Sequence, residues 1–237
     1  MTGLRRTVDH RGVLTVEFDA PPGNLLTIAG CLELTAVLGS PPDGARAFRL
    51  RGAGGVFCLG RERAGTTPGQ LREESEVLVG LHRALDRTPL LTVAEVDGDA
   101  AGFGVGLVAS CDLAVAVATS SFSFPEAGIG LAPALVLAWL PALVGEREAF
   151  WLTASGLPFS ASRAHELGLL NHIVPSAAEL SAAVDERVDA VLRHGTRVHS
   201  EIRSMVRAGR SLTRDQAFDL SVDRLVVGSL RRGEPTG

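Results

Sequence analysis

The chain contains no lysine and no tyrosine, so all 23 of its basic residues are arginine. Without lysine there is no Schiff-base former and no amine general base, and any phosphate must be held by arginine, backbone N–H groups or a helix end. The codon usage of a GC-rich genome explains the missing lysine more simply than function does. Cysteine is scarce: Cys31, Cys58 and Cys111 are too far apart for a zinc motif and odd in number. That predicts buried thiols in a reduced, cytoplasmic chain and no metal site. A dense basic cluster is also missing, and with a formal charge of -4 there is no electrostatic footprint for nucleic acid. The first residues, MTGLRRTVDHRG, carry arginine but no apolar run behind it, which argues against a signal peptide. The longest apolar stretch, Leu131 to Val144, is shorter than the roughly 20 residues a membrane span needs and contains Pro133 and Pro141. A buried helix is expected there.

What is present is enough for one compact domain with a helical appendage: 237 residues, 46% hydrophobic and 21% charged. Leu14, Val16 and Phe18 alternate with polar residues and predict a strand, followed by a helix over IAGCLELTAVL. A strand at AFRLRG leads into the glycine-rich loop GAGGVFCLGRER, and a helix is expected from about Leu71 to Leu85, ended by Pro89. LLTVAEV reads as a buried strand, GDAAGFGVGLVASC as a small-residue helix entered through glycines, and LAVAVA as another strand. Strands alternating with helices predict an α/β fold with parallel pairing. From about Glu146 the pattern turns helical. Ser160 and Gly168 bracket a short helix, Ser176 with Glu179 and Thr213 with Gln216 read as capping boxes, and Leu180, Val184, Val188 and Val191 recur on one face.

Two features point to chemistry. Glu126 is the only ionisable residue between Asp112 and Glu146, and a carboxylate in apolar surroundings is costly to desolvate, which makes it the first candidate for chemistry. The competing explanation is a loop-edge carboxylate that reaches water or a distant arginine. The second feature is the pair of glycine-rich loops. In GVFCLGRER and GDAAGFGVG the backbone can approach a ligand closely and a helix start offers free N–H donors. Two such donors aimed at one point would make an oxyanion hole. Gly102-Phe103-Gly104 lacks the spacing of a dinucleotide fingerprint.

In order, APPGNLL, RLRGAGGVFCLGRER, TPLLTVAEVDGDAAGFGVGLVASCDLAVA, FSFPEAGIGLAP and LPFSASRAHELGLLNHIVP resemble the crotonase superfamily, the enoyl-CoA hydratase/isomerase family of acyl-CoA enzymes. The resemblance implies a spiral of ββα units over residues 1–175 and a shortened C-terminal helical region over 176–237 that trimerises, giving a homotrimer or a dimer of trimers. It implies a coenzyme A thioester as substrate and no cofactor. It carries the two oxyanion N–H groups onto Arg61 and Phe103, the catalytic base onto Glu126, and substrate contacts onto Gly60, Arg61, Glu62, Arg63, Ala64, Gly102 and Phe103. His82 is a reserve base on the helix before Pro89.

The departures from the family pattern narrow the chemistry. Family hydratases carry a first glutamate where this chain has Gly106, and some relatives an acidic residue where it has Ala134. A lone carboxylate with an oxyanion hole resembles the Δ3-Δ2 enoyl-CoA isomerases. Hydration, carbon–carbon bond formation or decarboxylation through the same enolate is the alternative, and a non-catalytic acyl-CoA-binding homologue is the other.

Overall fold

In the computed structural model, which describes residues 2–231, the chain winds in repeated strand–strand–helix turns. Leu4–Val8 (β1) and Val13–Phe18 (β2) lead into helix Ile28–Gly39 (α1), whose first turn is capped by the Thr27 side chain accepting from the Gly30 N–H at 2.9 Å. Ala47–Gly52 (β3) and Val56–Cys58 (β4) lead into Pro68–Arg87 (α2). This helix begins three residues earlier than its apolar pattern suggests, because Thr67 and Gln70 form a capping box with Pro68 in the first turn. Leu91–Val96 (β5) and Asp99–Ala101 (β6) lead into Phe103–Ser110 (α3), and Leu113–Val117 (β7) and Ser121–Ser123 (β8) into a 3₁₀ turn over Pro125–Ile129.

Each turn sends its first strand to one sheet and, from β3 onward, its second to another. The large sheet has the order β1-β2-β3-β5-β7-β10, with β10 at His172–Val174, and only the β1–β2 pair is antiparallel. The small sheet has the order β4-β6-β8-β9, with β9 at Phe159–Ser160, and its first three strands are parallel. Leu14, Val16 and Phe18 of β2 face a core shared with α1, α2 and the small sheet, while Val13 faces the other side. On that other side Val93, Val115 and Val117 are covered by Leu180, Val184, Val188 and Leu192 of helix Ala177–Leu192 (α8). Each such side chain fully buried stabilises by about 1.5–3 kcal/mol.

Three expectations need correction. Leu131 to Val144 is not one buried helix: Ala134–Leu137 (α4) and Leu140–Val144 (α5) are separate short helices, with Pro133 and Pro141 at their starts. Val136 and Leu140 are buried while Leu131 and Leu137 are exposed. The Ser176–Glu179 box does not form, because the Ser176 hydroxyl donates to the Glu179 carboxylate at 2.9 Å instead of capping backbone. The third concerns a helix the pattern did not announce. After Glu146–Ser155 (α6), Ala161–Glu166 (α7) and α8 comes Thr196–Ala208 (α9), which buries His199 and Arg203 and exposes Ile202 and Val206. Arg203 donates to Asp112 through Nε at 2.6 Å and to the carbonyls of Thr88 and Leu90. The last helix, Arg214–Leu230 (α10), does start on the Thr213–Gln216 box and has no buried residue. All but Arg231 of the polar RRGEPTG tail lies outside the described residues.

Candidate active site

Because β4, β6 and β8 run parallel, their C-terminal ends share one edge of the small sheet, and there each chain segment turns toward a helix. The first turn holds Gly60, at φ 126°, a backbone region that excludes side chains. Its carbonyl accepts from the Leu26 N–H at 3.1 Å, and the Glu62 N–H donates to the Leu26 carbonyl at 2.9 Å. In extended chain successive N–H groups point to opposite sides, so the Arg61 N–H faces away from Leu26. It has no backbone acceptor among the described residues. The second turn holds Gly102, at φ 50° and ψ -112°, whose N–H donates to the Ser123 carbonyl at 2.9 Å. Phe103 opens α3, so its N–H is one of the unpaired first-turn donors at the positive end of the helix.

The third turn supplies Glu126, half-buried in the 3₁₀ turn. Its carboxylate lies directly against the second turn: a Cβ at Gly102 would come 2.6 Å from Glu126 Oε1. Oε2 is buried and has no hydrogen-bond partner among the described residues. Gly60, Arg61, Arg63, Gly102, Phe103 and Glu126 together line a cleft of about 160 Å³. Arg61, Arg63, Phe103 and Glu126 continue into a larger cavity of about 520 Å³. Of the residues expected around the substrate, Glu62 and Ala64 do not reach either wall.

The loop after β4 has an anchor that sequence reasoning missed. The buried Glu74 of α2 accepts from the Ala64 N–H at 3.2 Å and from the Gly65 N–H, and pairs with Arg61 Nη1 at 3.3 Å. Within LREESEVL nothing distinguishes it from its solvated neighbours except its place on the apolar face of the helix.

One turn along α3 from Phe103, Gly106 also lines the larger cavity, and the space above it is taken. A Cβ there would lie 3.1 Å from His82 Cε1, 3.3 Å from His82 Nε2 and 3.7 Å from Trp139 Cζ2. The His82 ring stands edge-on to Phe103 at 5.3 Å between centroids. Its Nδ1 lies 2.7 Å from Ser110 Oγ, and Ser110 in turn donates its single proton to the Gly106 carbonyl at 2.8 Å. Ser110 therefore accepts from Nδ1–H, which leaves the lone pair on Nε2. Nε2 is buried without a partner among the described residues. Desolvation, opposed by Asp86, pulls the His82 pKa down from 6.5 to about 4, so the ring is neutral at pH 7. His82 and Gly106 thus join the site, while His165, whose Nδ1 contacts the Leu170 carbonyl at 2.8 Å, and His172 lie outside it.

Other chemistries find less support. Burial pushes the Cys31 thiol up to about 12 and Cys58 to about 11, and Cys111 higher still, so the thiols are poor nucleophiles. No group of His, Cys, Asp and Glu able to hold a metal occurs among the described residues, and none of their helices is long and apolar enough to cross a membrane. A further cavity of about 500 Å³, between α3 and α9, touches His82 and Trp139 but neither Glu126 nor the donor turns.

Residues 9–227 match the family model described as enoyl-CoA hydratase/isomerase. The chain is 31% identical over 191 residues, 78% of each chain, to the Mycobacterium tuberculosis protein named probable enoyl-CoA hydratase echA6. It is 34% identical over 172 residues to a protein of the same description in Rhodobacter capsulatus, covering 69% of this chain and 66% of that one. Among solved structures, the Mycobacterium smegmatis enoyl-CoA hydratase superposes with a TM-score of 0.90 at 24% identity over 98% of this chain and 92% of that one. An enoyl-CoA hydratase candidate of Thermobifida fusca, solved in complex with CoA, superposes with 0.83 at 24% identity over 98% and 95%. Another structure of that description, with acetoacetyl-CoA, gives 0.85 at 23% over 97% and 96%.

Proposed function

Given that the chain belongs to the enoyl-CoA hydratase/isomerase family of the crotonase superfamily, we propose that it shifts the double bond of an enoyl-CoA by single-carboxylate proton transfer, as a Δ3-Δ2 isomerase. The observation that carries this reading is the Glu126 carboxylate seated against Gly102, next to the free Phe103 N–H, in a cavity whose other two acidic candidates are Gly106 and Ala134. The thioester carbonyl oxygen sits between the Arg61 and Phe103 N–H groups. Glu126 takes a proton from C2, the charge moves onto that oxygen, and the same carboxylate returns the proton at C4. Each preorganised donor is worth about 3 kcal/mol to the enolate. No other cofactor is required.

The CoA moiety follows the segment after Gly60. Arg63, exposed and without an ion pair among the described residues, and Arg61 offer phosphate contacts, with Glu62 and Ala64 beside them. The CoA complexes of the Thermobifida fusca structures support this placement by analogy of fold. The chain acts in the cytoplasm as a homotrimer or a dimer of trimers, its subunits covering the exposed Phe218, Val222, Leu225 and Val226 of α10.

The test is to supply purified protein with 3-enoyl-CoA and follow conjugation by absorbance, alongside acyl-CoA binding by calorimetry. Turnover in the wild type that disappears in Glu126→Gln, with binding kept, supports the reading. Binding without turnover of any thioester in a broad panel would make the protein an acyl-CoA-binding homologue. Loss of both would sink both readings.

A further inference from the structure

The cavity of about 520 Å³ that holds Glu126 and the cavity of about 500 Å³ between α3 and α9 are neighbours. They share four lining residues, His82, Leu135, Ala138 and Trp139, which therefore form the partition between them. Two of the four carry rings that close over the same glycine. A Cβ at Gly106 would lie 3.1 Å from His82 Cε1 and 3.7 Å from Trp139 Cζ2, so a side chain there would press on the partition. The glycine is what lets it close.

Both rings are held in place. His82 comes from α2, hydrogen-bonded to Ser110 and edge-on to Phe103, while Trp139 precedes α5 and leans on Phe124 with 6.4 Å between ring centroids. With its pKa lowered to about 4 the imidazole is uncharged at pH 7, so the partition presents no ion to a hydrocarbon. Behind it the lining is apolar at Leu91, Leu143, Ile202 and Val206. Arg203 pairs there with Asp112, and Arg207 with Asp86 at 2.9 Å. The apolar side chains that α9 leaves uncovered thus border a cavity able to take a hydrocarbon.

We propose that His82 and Trp139 determine the acyl length the site accepts, as an end wall that admits short chains and shuts longer ones out of the second cavity. The inference rests on the function proposed above, with the thioester oxygen at the Arg61 and Phe103 N–H groups. Gly106 lies three residues beyond Phe103 on α3, about 4.5 Å along the helix axis. At about 1.5 Å per carbon–carbon bond, a chain that leaves the donors along α3 meets the rings within a few carbons. A six-carbon acyl group ends near them, whereas a twelve-carbon one must pass them.

The experiment compares 3-hexenoyl-CoA with 3-dodecenoyl-CoA as substrates, by kinetics, and hexanoyl-CoA with dodecanoyl-CoA as ligands, by calorimetry. Wild type should favour the six-carbon chain by about 100-fold in kcat/KM and about tenfold in affinity. Trp139→Ala and His82→Ala each open the partition and should raise the twelve-to-six ratio by about tenfold or more. A loss of stability alone would lower both chain lengths together and leave the ratio where it was. Adding Ala109→Leu, at a position that lines only the second cavity, to Trp139→Ala should abolish the gain. A wild type that treats both lengths alike overturns the proposal. So does a ratio unchanged in both single variants, or a gain that survives Ala109→Leu. A wild type that binds acyl-CoA but isomerises neither substrate overturns the isomerase reading, while the two affinities still decide the length limit. Absence of acyl-CoA binding overturns both.

Discussion

The Glu126 and His82 ends of the larger cavity are built differently. At the Glu126 end, the candidate groups are backbone N–H donors and one carboxylate, placed by three consecutive strand-to-helix turns of the small sheet. At the His82 end, a side chain brought in from α2 fills room left by a glycine on α3. The first end is fixed by chain topology and tolerates little change in backbone. The second is fixed by side-chain packing and hydrogen bonds between two helices, so its chemistry can be altered one residue at a time.

Four measurements would sharpen or break this contrast. The largest effect belongs to Glu126→Gln, which removes the proposed proton carrier and should lower isomerisation by about 1,000-fold with acyl-CoA affinity kept within a few-fold, measured by steady-state kinetics and calorimetry. Next, Gly102→Ala puts a Cβ 2.6 Å from Glu126 Oε1 at a φ of 50°. It should displace the carboxylate and cost about 100-fold in kcat, with a smaller change in KM.

The third concerns the other end and is read in stability. The folded pKa of His82 lies below its unfolded value, so the neutral ring contributes stability that is fully present above about pH 6.5 and lost as pH falls toward 4. Urea melts from pH 7 to pH 4 should show wild type losing about 2 kcal/mol more than His82→Phe, carboxylate titrations being common to both. Equal losses would mean that the ring is not held neutral by burial. The smallest effect is expected of Glu74→Ala, which unpins Ala64 and Gly65 and should lower kcat/KM about tenfold. A value unchanged would show that the first donor turn is held by its Leu26 bonds alone.

The same contrast explains what could be read without coordinates. Strands β2, β3, β5 and β7 announce themselves because both faces of the large sheet are covered, giving apolar runs or clean alternation. Strands β4, β6, β8 and β9 are two or three residues long, too short for any period, and they surface only as glycine-rich punctuation. Glu126 and the glycines of the donor turns stand out because their types are unusual where they occur. His82 does not, since a histidine on an amphipathic helix is ordinary until Gly106 is seen beneath it. Helix α9 was invisible for an opposite reason: it buries an arginine and a histidine and shows its apolar side chains outward. Periodicity cannot detect that inversion as a core contact.

Glu74 and His82 sit on one helix, eight residues apart, about 12 Å along the axis of α2. One grips the loop that follows Gly60 and the other reaches over Gly106 in the larger cavity. A rigid rod with a hand at each end cannot move one without the other. Any displacement of α2 along its length, by a ligand, a neighbouring subunit or a substitution on its outer face, therefore shifts the loop after Gly60 and the wall above Gly106 at a single stroke.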